Sequence, residues 1–150
     1  MPLSPAVPSI VHHTAAVARI PRMSLRIVQL GSPRHPDEGT RIGTVRRPPR
    51  GVPKSEFASR DYYDVWLPLL SPEPDTIKQA QSASDAKSWS RFVKAFEREL
   101  ARPEAARTLE LLAKLSHSGD FSVGCYCEDA SRCHRSVLES TLRKLGAKLA

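Results

Sequence analysis

The apolar positions of this chain follow two different periods. The run LRIVQL over residues 25–30 is β-branched and continuous, and the GSP of residues 31–33 stops it, which predicts a first strand. Arg41–Val45 predicts a second strand. Between Arg46 and Gly51 the sequence RRPPRG reads as a loop, because consecutive prolines lack N–H donors and glycine permits a sharp turn. Asp64–Leu70 is apolar but interrupted by Pro68, so it reads as a short edge element or a packed loop. Residues 71–85, rich in Pro, Ser, Asp and Gln, read as a surface connection. Beyond them the period becomes helical. Trp89, Phe92, Val93, Phe96 and Leu100 form one apolar face, most simply a core-packing stripe. Pro103 restarts the chain at a first-turn position, and Leu109, Leu112, Ala113 and Leu115 make the next stripe, closed near Gly119.

Phe121–Cys127 is the strongest strand pattern. A polar loop, Glu128–Arg132, separates it from a last helix with Val137, Leu138, Thr141, Leu142 and Leu145 on one side. Ser136 and Glu139 have capping-box spacing, which predicts a start near Ser136. Strand, short loop and helix make the unit of an α/β sheet. The expected fold is therefore α/β, a small single-domain sheet flanked by helices, with the C-terminal strand–loop–helix unit carrying the site. The domain spans 23–150, behind a disordered leader at 1–22.

Charge sharpens this picture. Residues 1–60 hold ten Lys/Arg against Asp37, Glu38 and Glu56, whereas residues 61–150 hold 13 of each sign. A segregated basic half suits an anionic partner, the plainer alternative being a soluble basic surface. All 13 prolines precede Glu104, so irregular structure concentrates in the first part. No stretch approaches the roughly 20 apolar residues that span a bilayer, and a membrane role is not expected. Residues 1–22 lack an unbroken apolar core of the secretory type. They also lack acids, which a transit peptide shares, and Met23 is an alternative start.

The three cysteines lie between positions 125 and 133. They are too few for a disulfide scaffold, and their clustering with histidine points to metal or reactivity in a cytoplasmic protein. Strand alternation would send Cys125 and Cys127 to one side, at the carboxyl end where α/β sheets bind ligands. Cys133, His134 and Arg135 reach the start of the last helix, whose free N–H groups favour anions and thiolates. Three readings remain open. The first is a metal site, with Cys125, Cys127, Cys133 and His134 as up to four soft ligands for zinc. Its spacing is unusual, and adjacent Cys133 and His134 are hard to use together. The second is a reactive thiol in an anion pocket, with His134 as acid/base and Arg135 as clamp. The third is inert burial of small apolar thiols. A cysteine-phosphatase loop, a P-loop, a G-x-G-x-x-G turn and a nucleophile elbow are all missing.

The tail VGCYCEDASRCHRSVL over residues 123–138 resembles the C-terminal signature of the DUF488 family, C-x-E followed five residues later by C-H-R-S. Arg41–Lys54, with Arg46, Pro49, Arg50, Gly51 and Lys54, resembles the arginine-rich stretch of its YeaO-like members. Trp89 and Phe92 fit the helix that follows there. The resemblance spans about Leu25 to Gly146, and its tail is the specific part. It marks Arg46, Arg50, Cys125, Cys133, His134 and Arg135, and it implies a compact α/β fold without an established reaction. Cys127 stands where the family has Glu, and Val45 and Pro48 stand where it has Asp and Trp. The lost carboxylate weakens a mechanism that needs one, while the added thiol favours metal.

Two segments some 80 residues apart thus match together, and the expectation is that the Arg46–Arg50 loop folds over Cys125–Arg135 to complete a basic pocket. Pairing of Arg46 or Arg50 with Glu128 or Asp129 is the competing expectation. The first functional reading is a small enzyme, or the remnant of one, with Cys133, His134 and Cys125 as catalytic residues. Arg46, Arg50 and Arg135 would hold an anionic small molecule, phosphate- or nucleotide-like. The alternative is a non-catalytic module that holds zinc through Cys125, Cys127 and Cys133, or that binds nucleic acid without sequence preference, aromatic content being 6%.

Overall fold

A computed structural model describes residues 23–150, so the reading of residues 1–22 falls outside the described residues. Four strands are present: β1 (Leu25–Gln29), β2 (Thr40–Gly43), β3 (Val65–Trp66) and β4 (Phe121–Cys125). They form one sheet in the order β1-β4-β2-β3, and every pairing is parallel. β4 is the last strand in sequence, yet it fills the slot between β1 and β2. A parallel strand in that position is covered on both faces, and each of its five residues is buried. Leu149 adds an isolated parallel bridge to Leu25 on the outer side of β1.

Glycine makes the centre of the sheet possible at two aligned positions, Gly43 and Gly124. A Cβ on Gly43 would fall 2.4 Å from the Tyr63 ring, and one on Gly124 would fall 2.4 Å from the Val28 carbonyl oxygen. The short edge element expected around Pro68 is β3, followed by a single 3₁₀ turn at Pro68–Leu70.

Four helices accompany the sheet: α1 (Pro74–Ser82), α2 (Ala86–Leu100), α3 (Pro103–Leu115) and α4 (His134–Lys144). Asp85 and Ser88 cap α2 reciprocally, the Asp85 carboxylate accepting from the Ser88 N–H at 2.7 Å. Pro103 occupies the first turn of α3, where its missing N–H costs nothing. Phe92, Phe96 and Leu100 of α2, Leu109 and Leu112 of α3, and Val137, Leu138 and Leu142 of α4 enclose one core with Leu25, Ile42, Phe121 and Val123 of the sheet. A second cluster gathers Leu30, Val45, Tyr63, Cys125 and Cys133. No helix among the described residues is long and apolar enough to cross a membrane.

Four expectations change. Residues 71–85 are not merely a connection, because they contain α1. Pro74 starts this helix, and it buries Thr76 while packing along α2, so tertiary contact supplies what its polar composition does not. Leu115 is 45% exposed and Leu145 43% exposed, so both stripes end one position early. The last strand stops at Cys125 rather than Cys127. α4 begins at His134 with Cys133 as its N-cap, and the Ser136 hydroxyl donates to the Cys133 carbonyl instead of forming a capping box with Glu139.

Candidate functional site

Cys125 is the fifth residue of β4 and shares the face of Phe121 and Val123, which lie in the helix-covered core. Its thiol therefore meets the start of α4. Cys133 is extended there (φ −125°, ψ 154°), and the helix turns inward from it. The Cys133 Sγ lies 3.8 Å from Nδ1 of His134, and Nε2 of the same ring is 2.8 Å from the Thr44 carbonyl oxygen. A carbonyl only accepts, so Nε2 carries the proton and the Nδ1 lone pair faces the sulfur. Phe96 lies edge-on to the imidazole at 5.9 Å between centroids. Burial holds the His134 pKa below its ordinary value of 6.5, so the neutral ring is favoured.

One ligating atom each from Cys125, Cys133 and His134 lie within 4.8 Å of one another. The adjacency of Cys133 and His134, which made their joint use look awkward in the sequence, is accommodated by the extended backbone before the helix. Cys127 lies two residues beyond Cys125 in the loop after β4 and is exposed. Hydrogen bonding with the thiols of Cys125 and then Cys133 holds its pKa far below the ordinary value, and the Arg135 guanidinium adds to this. Cys125 is pushed far up by its bonds to Cys127 and Cys133 and by burial. At Cys133 the bond with Cys125 favours the thiolate, but the bond with Cys127 and burial outweigh it, and its pKa rises. The three thiols are thus coupled, and the direction of their shifts favours the thiolate at Cys127 over Cys125 and Cys133.

The Arg46–Arg50 loop lies against this cluster. The Tyr126 hydroxyl donates to the Arg47 carbonyl at 2.8 Å and joins the two segments directly. A cavity of about 420 Å³ is lined by Arg46, Arg47, Arg50 and Lys78 together with Cys125, Cys127 and His134. Arg46 is partly committed, donating to the carbonyls of Ser71 (2.9 Å) and Pro72 (3.2 Å). Arg50 is exposed. Neither forms an ion pair with Glu128 or Asp129 among the described residues. Arg135 stands apart from the cavity walls. It is 5% exposed and donates to the carbonyls of Cys127 (2.5 Å) and Glu128 (3.4 Å), so it holds the loop that presents Cys127.

Residues 25–146 match the family model DUF488-N3a, described as "Active DUF488-N3 subclade". The chain belongs to the DUF488 family. No curated protein and no solved structure matched. Four groups of this DUF488 chain's site were absent from the sequence reading. Arg47 and Tyr126 carried a signal, the first inside RRPPRG and the second between two cysteines. Lys78 sits on a helix the sequence hid, and the Thr44 contribution is a backbone oxygen, which no side-chain pattern encodes.

Proposed function

We propose that this chain is a small thiol-dependent enzyme that acts on an anionic, phosphate-bearing ligand. One observation carries the reading. An exposed thiol, Cys127, and an oriented imidazole, His134, share a cavity with Arg46, Arg47, Arg50 and Lys78, and the Cys127 pKa is shifted downward. Arginine forks suit bidentate contact with phosphate or carboxylate oxygens. In this scheme those cations hold the anion, the Cys127 thiol orients the reacting group, and the free Nδ1 of His134 accepts a proton. Cys125 supports the thiolate by hydrogen bonding, and Arg135 fixes the Cys127 loop in place of clamping the ligand. All three cysteines are free thiols, which suits a reducing compartment, the cytoplasm.

The test is protection of Cys127 from iodoacetamide by inorganic phosphate. Saturable slowing is expected in the native protein and loss of it in the Arg47→Ala/Arg50→Ala double variant. Alkylation that ignores phosphate at every concentration would refute the reading.

A second reading is favoured by the trio within 4.8 Å, which is the reach of a common metal ion: zinc on Cys125, Cys133 and His134, with Cys127 as a fourth donor nearby. Elemental analysis of protein purified without chelators decides between them. Stoichiometric zinc would make this a metal centre and displace the thiol chemistry.

A further inference from the structure

A second cavity, of about 680 Å³, adjoins the first and is lined by Arg47, Pro48, Pro49, Arg50, Tyr62 and Tyr126. Arg47, Arg50 and Tyr126 belong to both. We infer that this second cavity is the seat of a nucleobase, and that the ligand is a nucleotide whose ring rests on Tyr62 and Tyr126 while its phosphate turns toward the thiols; the inference rests on the thiol-enzyme reading above.

The chemistry of the walls selects the ring. Tyr62 and Tyr126 meet edge to face, 6.2 Å apart at 71°, and so form a fixed aromatic corner rather than two mobile rings. The β1 turn braces Tyr62 from behind: a Cβ on Gly31 would come 3.3 Å from its Cε1, and the Gly31 N–H donates to the Asp61 carbonyl beside it. Tyr126 is anchored at its hydroxyl by the Arg47 carbonyl. The rigid rings of Pro48 and Pro49 complete the lining. A slot with aromatic and proline walls and guanidinium groups at its junction with the next cavity suits a flat π-system joined to an anion. Base stacking on tyrosine and arginine planes needs no hydrogen-bond readout. A sugar phosphate would fill the cationic half and leave these walls without a partner, and an acyl chain would bring no anion to the arginines.

Position supports the division of labour. Tyr126 is flanked in sequence by Cys125 and Cys127, so a ring stacked on it lies one residue from the reacting sulfurs. The RRPPRG loop contributes to both cavities, Arg47 and Arg50 to each and Pro48 and Pro49 to the second.

Titration calorimetry on the full chain tests this with three probes: inorganic phosphate, ribose 5-phosphate and adenosine 5′-monophosphate. The nucleotide is expected to bind about tenfold more tightly than ribose 5-phosphate, the scale of one base stacked on an aromatic ring. Tyr62→Leu, which keeps the volume and removes the ring, should erase that difference while leaving ribose 5-phosphate binding unchanged, and Tyr62→Phe should restore it. Equal affinities for the two phosphates would overturn the inference and leave the anion reading standing. Failure of all three probes would take down both. If Tyr62→Leu does not fold, Tyr62→Phe against Tyr62→His keeps the comparison, since both rings stack and both must retain the preference. A short single-stranded oligonucleotide forms a fourth arm. Binding tighter than the mononucleotide, and weakened by the same Tyr62→Leu change, would identify a nucleic-acid end as the source of the base.

Discussion

Arg41, on the interior strand β2, has no exposed surface although its side chain ends in a guanidinium. Its Nε and Nη2 form a fork with Glu38 at 2.8 and 2.9 Å, and Nη1 reaches the carbonyls of Ser32 and Asp61. Removing one partner of such a pair leaves the other buried and uncompensated. Glu38→Gln is therefore expected to lower unfolding stability by about 3–5 kcal/mol in urea titration. His134 sets a pH dependence of its own. Its pKa is depressed in the folded chain, so the unfolded chain binds more protons just below 6.5. Stability is thus full above that value and is lost as the pH falls through the folded pKa. His134→Phe should flatten this slope in melts between pH 7 and pH 4, and an unchanged slope would show that another group titrates. The thiols separate by the same reasoning. At pH 6.5, iodoacetamide followed by peptide mass mapping should label Cys127 first, with Cys125 and Cys133 reacting only once the chain unfolds. The three cysteines were legible as a cluster, but their roles were not, because burial and mutual hydrogen bonding distinguish them and spacing does not.

At the level of elements, α2 shows what a periodic pattern can deliver. Its stripe is visible in the sequence, and Phe92 and Phe96 are both fully buried. Phe96→Ala should cost about 3–5 kcal/mol, as large-to-small core changes do. It should also loosen the imidazole it touches, seen as a histidine pKa returning toward 6.5 by NMR. Leu115→Ala, on a stripe that looked equivalent, should change stability by no more than about 0.5 kcal/mol because that side chain is exposed. The element that escaped the pattern is α1. Its helix forms because it lies along α2, and a window of Pro, Asp, Gln and Ser contains no trace of that neighbour. The start of α4 escaped for a different reason. Ser136 and Glu139 had the spacing of a cap, but the helix already begins at His134, so Ser136 lies inside the first turn and its hydroxyl donates to the Cys133 carbonyl.

For the whole molecule, the decisive feature is the late insertion of β4 between β1 and β2. It brings the carboxyl end of the central strand, the Thr44 backbone and the arginine loop to one side. The chain end completes the opposite border, where Leu25 donates to the Lys148 carbonyl and Ala150 donates to the Leu25 carbonyl. Ending the chain at Gly146 should cost about 1–3 kcal/mol by the loss of these two backbone bonds, measurable by thermal unfolding. The α/β class, the strand at Phe121, the two core helices and the neighbourhood of the chemistry were already written in the residues, because each rests on local periodicity or on reactive residues crowded into one short segment. Folding alone separated the three thiols by burial, turned Arg46, Arg47 and Arg50 to the cavity and set Arg135 on the loop carbonyls. Those outcomes depend on burial and on contacts between residues as distant as Thr44 and His134, and free energies of that kind are set by the surroundings of a group rather than by its place in the chain.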